Sequence, residues 1–198
     1  MDKQMKILLV GNKPTNISLD INEYDMIVQI NRMNNICNIP KVDLWYCDCH
    51  HEFFELNNEI LDSNVDLNST KVIIPHKEQH NILKLCRTFP GLKFANVSIH
   101  NLNTFMRTDV INGKHKTKNM LTSDVIVLIY LLEQYPDAEI TLTCLDVYNR
   151  GEILSNQKSH KRTFHENAVF DEEEYLIQLI KDDKIKFIET ELIKKNES

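Results

Sequence analysis

The chain has 198 residues, 42% hydrophobic and 26% charged, with a formal charge of -6 and a pI near 5.7. That length suffices for one full hydrophobic core and leaves little for a second, and the acidic balance excludes a whole-protein attraction for nucleic acid or an anionic membrane. Five cysteines, an odd number without repeat spacing, fit a reducing cytoplasm better than a disulfide framework.

The N-terminus carries no signal-peptide pattern and runs at once into Lys6–Val10, a continuous apolar run that reads as a buried parallel strand. It ends at Gly11-Asn12-Lys13-Pro14, where Gly11 would let a ligand approach the backbone and Asn12 offers an amide that donates and accepts. Asp25–Ile30 reads as a second strand, closed by Asn31, and Val42–Cys47 as a third. The following Cys47-Asp48-Cys49-His50-His51 contains metal-ligand residue types. Both thiols would share one strand face, however, and no second ligand pair appears at finger-like spacing, so no metal site is expected.

Helical spacing continues over His50–Leu61, and Asn57–Ser69 is a polar connector. Val72–Ile74 reads as a strand, Lys77–Arg87 as a helix and Leu92–Val97 as a weaker strand after the Pro90-Gly91 turn. His76 and His80 stand four apart on that helix without a third ligand and read as solvated surface. A short helix around Leu102, Phe105 and Met106 leads into a polar loop with positive charge, Asn112–Lys116.

Val125–Leu132 is the longest apolar run, well short of the roughly 20 residues of a membrane span, and reads as a helix buried nearly all round. Thr122-Ser123 opens it and Pro136-Asp137 stops it. Ile140, Leu142 and Cys144 then alternate as a strand that delivers Asp146 and Tyr148 to its carboxyl end. Residues 149–164 show no periodicity and carry the basic run Lys158–Arg162, which reads as a short lid-like loop. Asp171–Lys181 is an amphipathic helix whose acidic start suits its positive end, Lys184–Ile188 a last strand, and 191–198 a charged tail.

Strands and helices alternate throughout, which predicts a single α/β domain over 1–190 with a mostly parallel sheet flanked by helices. In such sheets ligands sit beyond the carboxyl ends of the strands. The four glycines form neither G-x-G-x-x-G nor a Walker loop, so the usual dinucleotide and phosphate-loop signatures are absent.

Gly11-Asn12-x-Pro14 after the first strand, Asn31 after the second, Thr122-Ser123 opening a buried helix, Asp146-x-Tyr148 after a strand, and His165 about ten residues before Glu174-Tyr175-Leu176 follow one order. That order resembles the bacterial sialyltransferases of glycosyltransferase family 42, and more distantly family 29, over residues 5–35 and 120–188. The resemblance implies a Rossmann-like nucleotide-binding fold and an inverting, metal-independent transfer from a CMP-sialic acid-like donor to a glycan acceptor. It needs no cofactor and no nucleic acid, has no transmembrane segment and admits a homo-oligomer. Carried over, Asn12 and Asn31 would hold the donor's phosphate and ribose side, and Thr122 with Ser123 the cytidine end. Tyr148 would meet the leaving phosphate and His165 would be the general base, with His160 its rival; Lys161 or Arg162 would stand in for the charge of a second phosphate-binding tyrosine that the family has and this chain lacks. An imidazole suits such a base without tuning, and fixed donors must meet the phosphate charge when no metal does.

The chain departs from the family pattern at Asp124, where the family has glycine. It also lacks an arginine shortly before Thr122 and a second tyrosine shortly after Tyr148. A non-catalytic nucleotide- or glycan-binding relative, and a metal-dependent pyrophosphokinase-like transferase, are the competing readings.

Overall fold

The computed structural model describes residues 3–12, 19–31, 41–47, 67–89, 91–100, 121–148, 150 and 166–188. Seven strands lie within them: β1 (Lys6–Val10), β2 (Met26–Ile30), β3 (Leu44–Tyr46), β4 (Lys71–Pro75), β5 (Val97–His100), β6 (Glu139–Thr143) and β7 (Ile185–Ile188). They form one sheet in the order β5-β4-β3-β2-β1-β6-β7, and every neighbouring pair is parallel. The α/β architecture expected from the alternation is therefore present, with a sheet that is wholly parallel.

Both faces of the sheet are covered, which is why its strands read as unbroken apolar runs. Alternate residues of β1 go to opposite cores. Ile7 and Leu9 join one core and Leu8 and Val10 the other, all fully buried. The first core receives α2 (Ser123–Gln134) and α3 (Glu166–Lys181), through Val125, Ile126, Leu128 and Leu131 of the former and Leu176 and Leu179 of the latter. The second core holds α1 (Ile82–Thr88), Trp45 and Phe89, whose rings meet edge to face at 5.1 Å. Each helix precedes a strand that it runs against, so α2 and α3 both begin at the carboxyl edge of the sheet.

Three elements differ from expectation. The weak strand at Leu92–Val97 is a turn followed by β5. Leu92 N–H bonds to Phe89 O at 2.9 Å and Asn96 N–H to Lys93 O at 2.9 Å. The Asn96 side chain also donates to Asn68 O at 2.9 Å, so the backbone keeps turning through Phe94–Asn96 and extends only from Val97. The helix expected over Lys77–Arg87 begins as a 3-10 segment, His76–Asn81, straight after Pro75, and becomes α-helical only at Ile82. Residues four apart do not align on a turn of three residues, so positions 76 and 80 share no face, and His80 is exposed. Helix α3 starts at Glu166 rather than Asp171. The helices expected over 50–61 and around 102–106, the lid-like loop apart from Arg150, and the tail lie outside the described residues.

Candidate functional site at the carboxyl edge of the sheet

Beside β1 the order of the sheet turns back. The chain builds outward from β1 through β2 to β5 and then returns to place β6 on its other side. Such a reversal splays the loops that leave the two central strands and opens a crevice beyond their carboxyl ends. The chain segments there are Gly11-Asn12 after β1, Asn31 after β2, and residues 144–148 after β6.

Gly11 is fixed by its neighbours in the chain rather than by room for a ligand. Its N–H bonds to Thr143 O at 2.9 Å, and a Cβ at this position would stand 1.9 Å from Leu145 Cδ2 and 2.3 Å from the Cys144 carbonyl oxygen. The exit of β6 lies directly on it, turned there by Cys144 in the left-handed region at φ 56°. The expected close approach to Gly11 is thus made by the protein itself. Asn12 next to it is exposed. Gln29, buried within β2, donates through Nε2 to the carbonyls of Gly11 at 3.3 Å and Ile30 at 3.2 Å, tying the ends of β1 and β2 together.

Asn31 adopts φ 45°, a conformation that asparagine tolerates better than most residues. Its N–H bonds to Tyr46 O at 2.7 Å and its carbonyl accepts from Trp45 Nε1 at 2.9 Å, so β3 holds its backbone. Tyr148 lies on the opposite flank. It is 46% exposed, and its ring meets Phe187 of β7 edge to face at 5.9 Å. Asn31 and Tyr148 therefore bracket a rim that runs from β2 to β7, three strand spacings or roughly 14 Å.

Between these flanks stands a buried ionic cluster centred on Arg150, which is 4% exposed. Its Nη2 donates to both Asp124 carboxylate oxygens, at 2.7 and 2.6 Å, and to the Thr122 hydroxyl. Its Nε donates to Glu172 Oε2 at 2.9 Å, and its Nη1 to the Asp146 carbonyl at 2.7 Å. Glu172, fully buried, also accepts from the Thr122 N–H at 2.6 Å through Oε1, and Oε2 lies 3.0 Å from the Thr122 hydroxyl. The Arg150 N–H itself donates to Glu173 at 2.9 Å.

One guanidinium here serves two carboxylates. Burial works against the Asp124 charge, but Arg150 and the Thr122 hydroxyl outweigh it and hold that carboxyl below the usual aspartate range. Glu172 is pushed up, first by burial and then by the Asp124 charge beside it, against the pull of Arg150. Burial also opposes the guanidinium charge, yet the two acids raise the Arg150 pKa further and it stays protonated.

Of the sequence-derived candidates, Gly11, Asn12, Asn31, Thr122, Ser123 and Asp146 all stand at this edge. Thr122 and the Asp146 carbonyl are joined through Arg150, and half-buried Ser123 is the first residue of α2. Thr122 is the N-cap, but its side chain makes no cap bond because its hydroxyl serves Arg150 and Glu172. His165, His160 and Arg162 lie outside the described residues.

Arg150 and Glu172 were not singled out by pattern. The signal for them was Asp124 itself, a carboxylate at the head of a buried helix that requires a buried cation. Among the described residues no group of three or more His, Cys, Asp and Glu is placed to hold a metal, and no helix is long and apolar enough to cross a membrane.

The fold thus defines an α/β protein with polar residues along the carboxyl edge of its sheet, at a strand-order reversal. No family model, curated protein or solved structure matches this chain.

Proposed function

We propose that the chain is a glycosyltransferase of the sialyltransferase-like type. A nucleotide sugar, CMP-linked by the resemblance above, would lie across the carboxyl ends of β1, β2 and β6. The observation that carries this reading is the reversal of strand order at β1, with Asn12, Asn31 and the Asp146–Tyr148 exit at one rim. In this reading the amides of Asn12 and Asn31 meet the phosphate and ribose, and Ser123 meets the base. The Tyr148 phenol and Arg162 meet the departing phosphate, and His165 takes the proton from an acceptor glycan hydroxyl. Inversion follows from a single displacement, with no metal required. A nucleotide-linked donor and an odd set of thiols support a cytoplasmic location.

The test is a thermal-shift panel of CMP, UDP, GDP and their sugars, with and without divalent cation. CMP at about a hundredfold its Kd adds about 2.7 kcal/mol. In a chain of this size that raises the melting temperature by roughly 5–10 °C. UDP and GDP should do less, and EDTA should not remove the CMP effect. If no nucleotide or nucleotide sugar moves the transition, the reading falls.

One observation favours a second reading, a relative that binds nucleotide or glycan without turnover. The N-terminus of α2, otherwise open to an anionic ligand, is filled by the Glu172 carboxylate and the Arg150–Asp124 pair. Donor hydrolysis that disappears in His165→Ala counts against it.

A further inference from the structure

The crevice rim has three parts, the exit of β6, the start of α2 and the second turn of α3: Thr122 ties α2 to Glu172 of α3, the Arg150 N–H ties the exit to Glu173, and the Arg150 side chain ties the exit to α2. Arg150 touches all three. Its Nη1 bonds the Asp146 carbonyl, its Nη2 bonds Asp124 and the Thr122 hydroxyl, and its Nε bonds Glu172. The planar fork of a guanidinium can fix these directions together, which an ammonium cannot. A buried triad of this kind is a poor source of stability, because replacing it with neutral groups of similar size is often neutral or favourable. Its value lies in geometry.

We propose that Arg150 is a positioning residue. It sets the distance between the β6 exit, which carries Asp146 and Tyr148, and the head of α2, which carries Ser123, and so shapes the crevice for its nucleotide. The shaping of a nucleotide site rests on the functional reading above. The fastening of the rim does not. Without the fork, the Gly11–Thr143 bond, the Tyr148–Phe187 contact and the bond from the Arg150 N–H to Glu173 remain. Asp146 itself then loses its tie to α2.

Two variants separate positioning from folding. In Arg150→Lys the charge remains, so Asp124 and Glu172 keep a buried cation and the chain folds, but the fork is lost. In the triple variant Arg150→Met, Asp124→Ala and Glu172→Gln no charge is buried. The amide introduced at position 172 faces no guanidinium there, and its oxygen can still accept from the Thr122 N–H. Hydrogen–deuterium exchange on the ligand-free protein reads the rim, and titration calorimetry with CMP reads the site.

Both variants should exchange about tenfold faster over residues 144–148 while β1, β2 and the head of α2 keep their protection. Both should bind CMP roughly tenfold more weakly, the triple variant despite a melting temperature near that of wild type. Unchanged exchange at 144–148 in either variant overturns the proposal, as does wild-type CMP affinity in the triple variant. If wild type binds no nucleotide, the functional reading fails by itself, and the exchange data still decide whether Arg150 holds the rim.

Discussion

At the scale of single residues, the Arg150 cluster ties stability to pH through two acids with opposite signs. Asp124 is held low when folded, so its contribution is present above the ordinary aspartate range, about pH 4, and is lost as pH falls through its folded value. Glu172 is raised when folded, so folding favours its protonated form. That contribution is complete in acid and is lost as pH rises through the raised value. Together they predict a maximum at about pH 4, between the ordinary aspartate and glutamate values, with a limb on each side. In urea melts the Glu172→Gln variant should be less stable throughout, because its amide turns a donor toward Arg150 or the Thr122 N–H. Its stability should nevertheless stop declining on the alkaline side where wild type declines. A constant difference between the two proteins from about pH 5 to 8 would show that Glu172 does not titrate in this way. Asp124 was visible in the sequence as an oddity, and its partners were not, because Arg150 lies 26 positions away and Glu172 a further 22. A spacing that long is set by how the chain folds back, not by local pattern.

At the scale of elements, local physics decided most outcomes. The core of α2 was legible because Val125–Leu132 has no polar face to offer solvent, and six of its residues are buried. The strand at Leu92–Val97 was misplaced because alternation says little where hydrogen bonds from Asn96 to Lys93 and Asn68 curl the backbone. The start of α3 was missed for a different reason: Ala168 and Val169 stand seven residues before Tyr175 and Leu176, but the acidic run Asp171–Glu174 interrupts the stripe and reads as a helix start. Its other end illustrates a cap that sequence hides. Lys184 N–H bonds to Leu179 O at 3.0 Å and Asp183 N–H to Ile180 O at 3.1 Å, a paired closure in which Asp183 takes φ 53°. Glycine is the residue suited to that conformation. Asp183→Gly should therefore raise stability by roughly 0.5–1 kcal/mol, read as a higher urea midpoint at unchanged slope. A lower midpoint would mean that the aspartate does something there besides turn the chain.

At the scale of the whole molecule, the alternation of apolar runs was enough to reach a parallel sheet with helices on both faces. It could not give the strand order. β1 pairs with β2, the next strand in the chain, and with β6 more than a hundred residues on, and only the second pairing makes the crevice. The rim candidates Asn12, Asn31 and Ser123 were legible because they stand where elements begin or end. Gly11 was legible as a special position but for the wrong neighbour, since Leu145 and Cys144 come to it through the same long-range pairing. The edge-to-face pair of Trp45 with Phe89 has a consequence for the molecule as a whole. Trp45 is the sole tryptophan, sealed in the core that α1 covers, while α2 and α3 cover the other. Its emission therefore reports on one side of the sheet, and far-ultraviolet circular dichroism is weighted toward the longer helices on the other. Because every strand of β1–β4 contributes to both cores, neither side can melt alone, and the two signals should fall on one denaturation curve. Separate midpoints would divide the protein along its sheet. The same indole donates to the Asn31 carbonyl, so the chain also carries, at the far flank of its crevice, a built-in optical gauge of that corner.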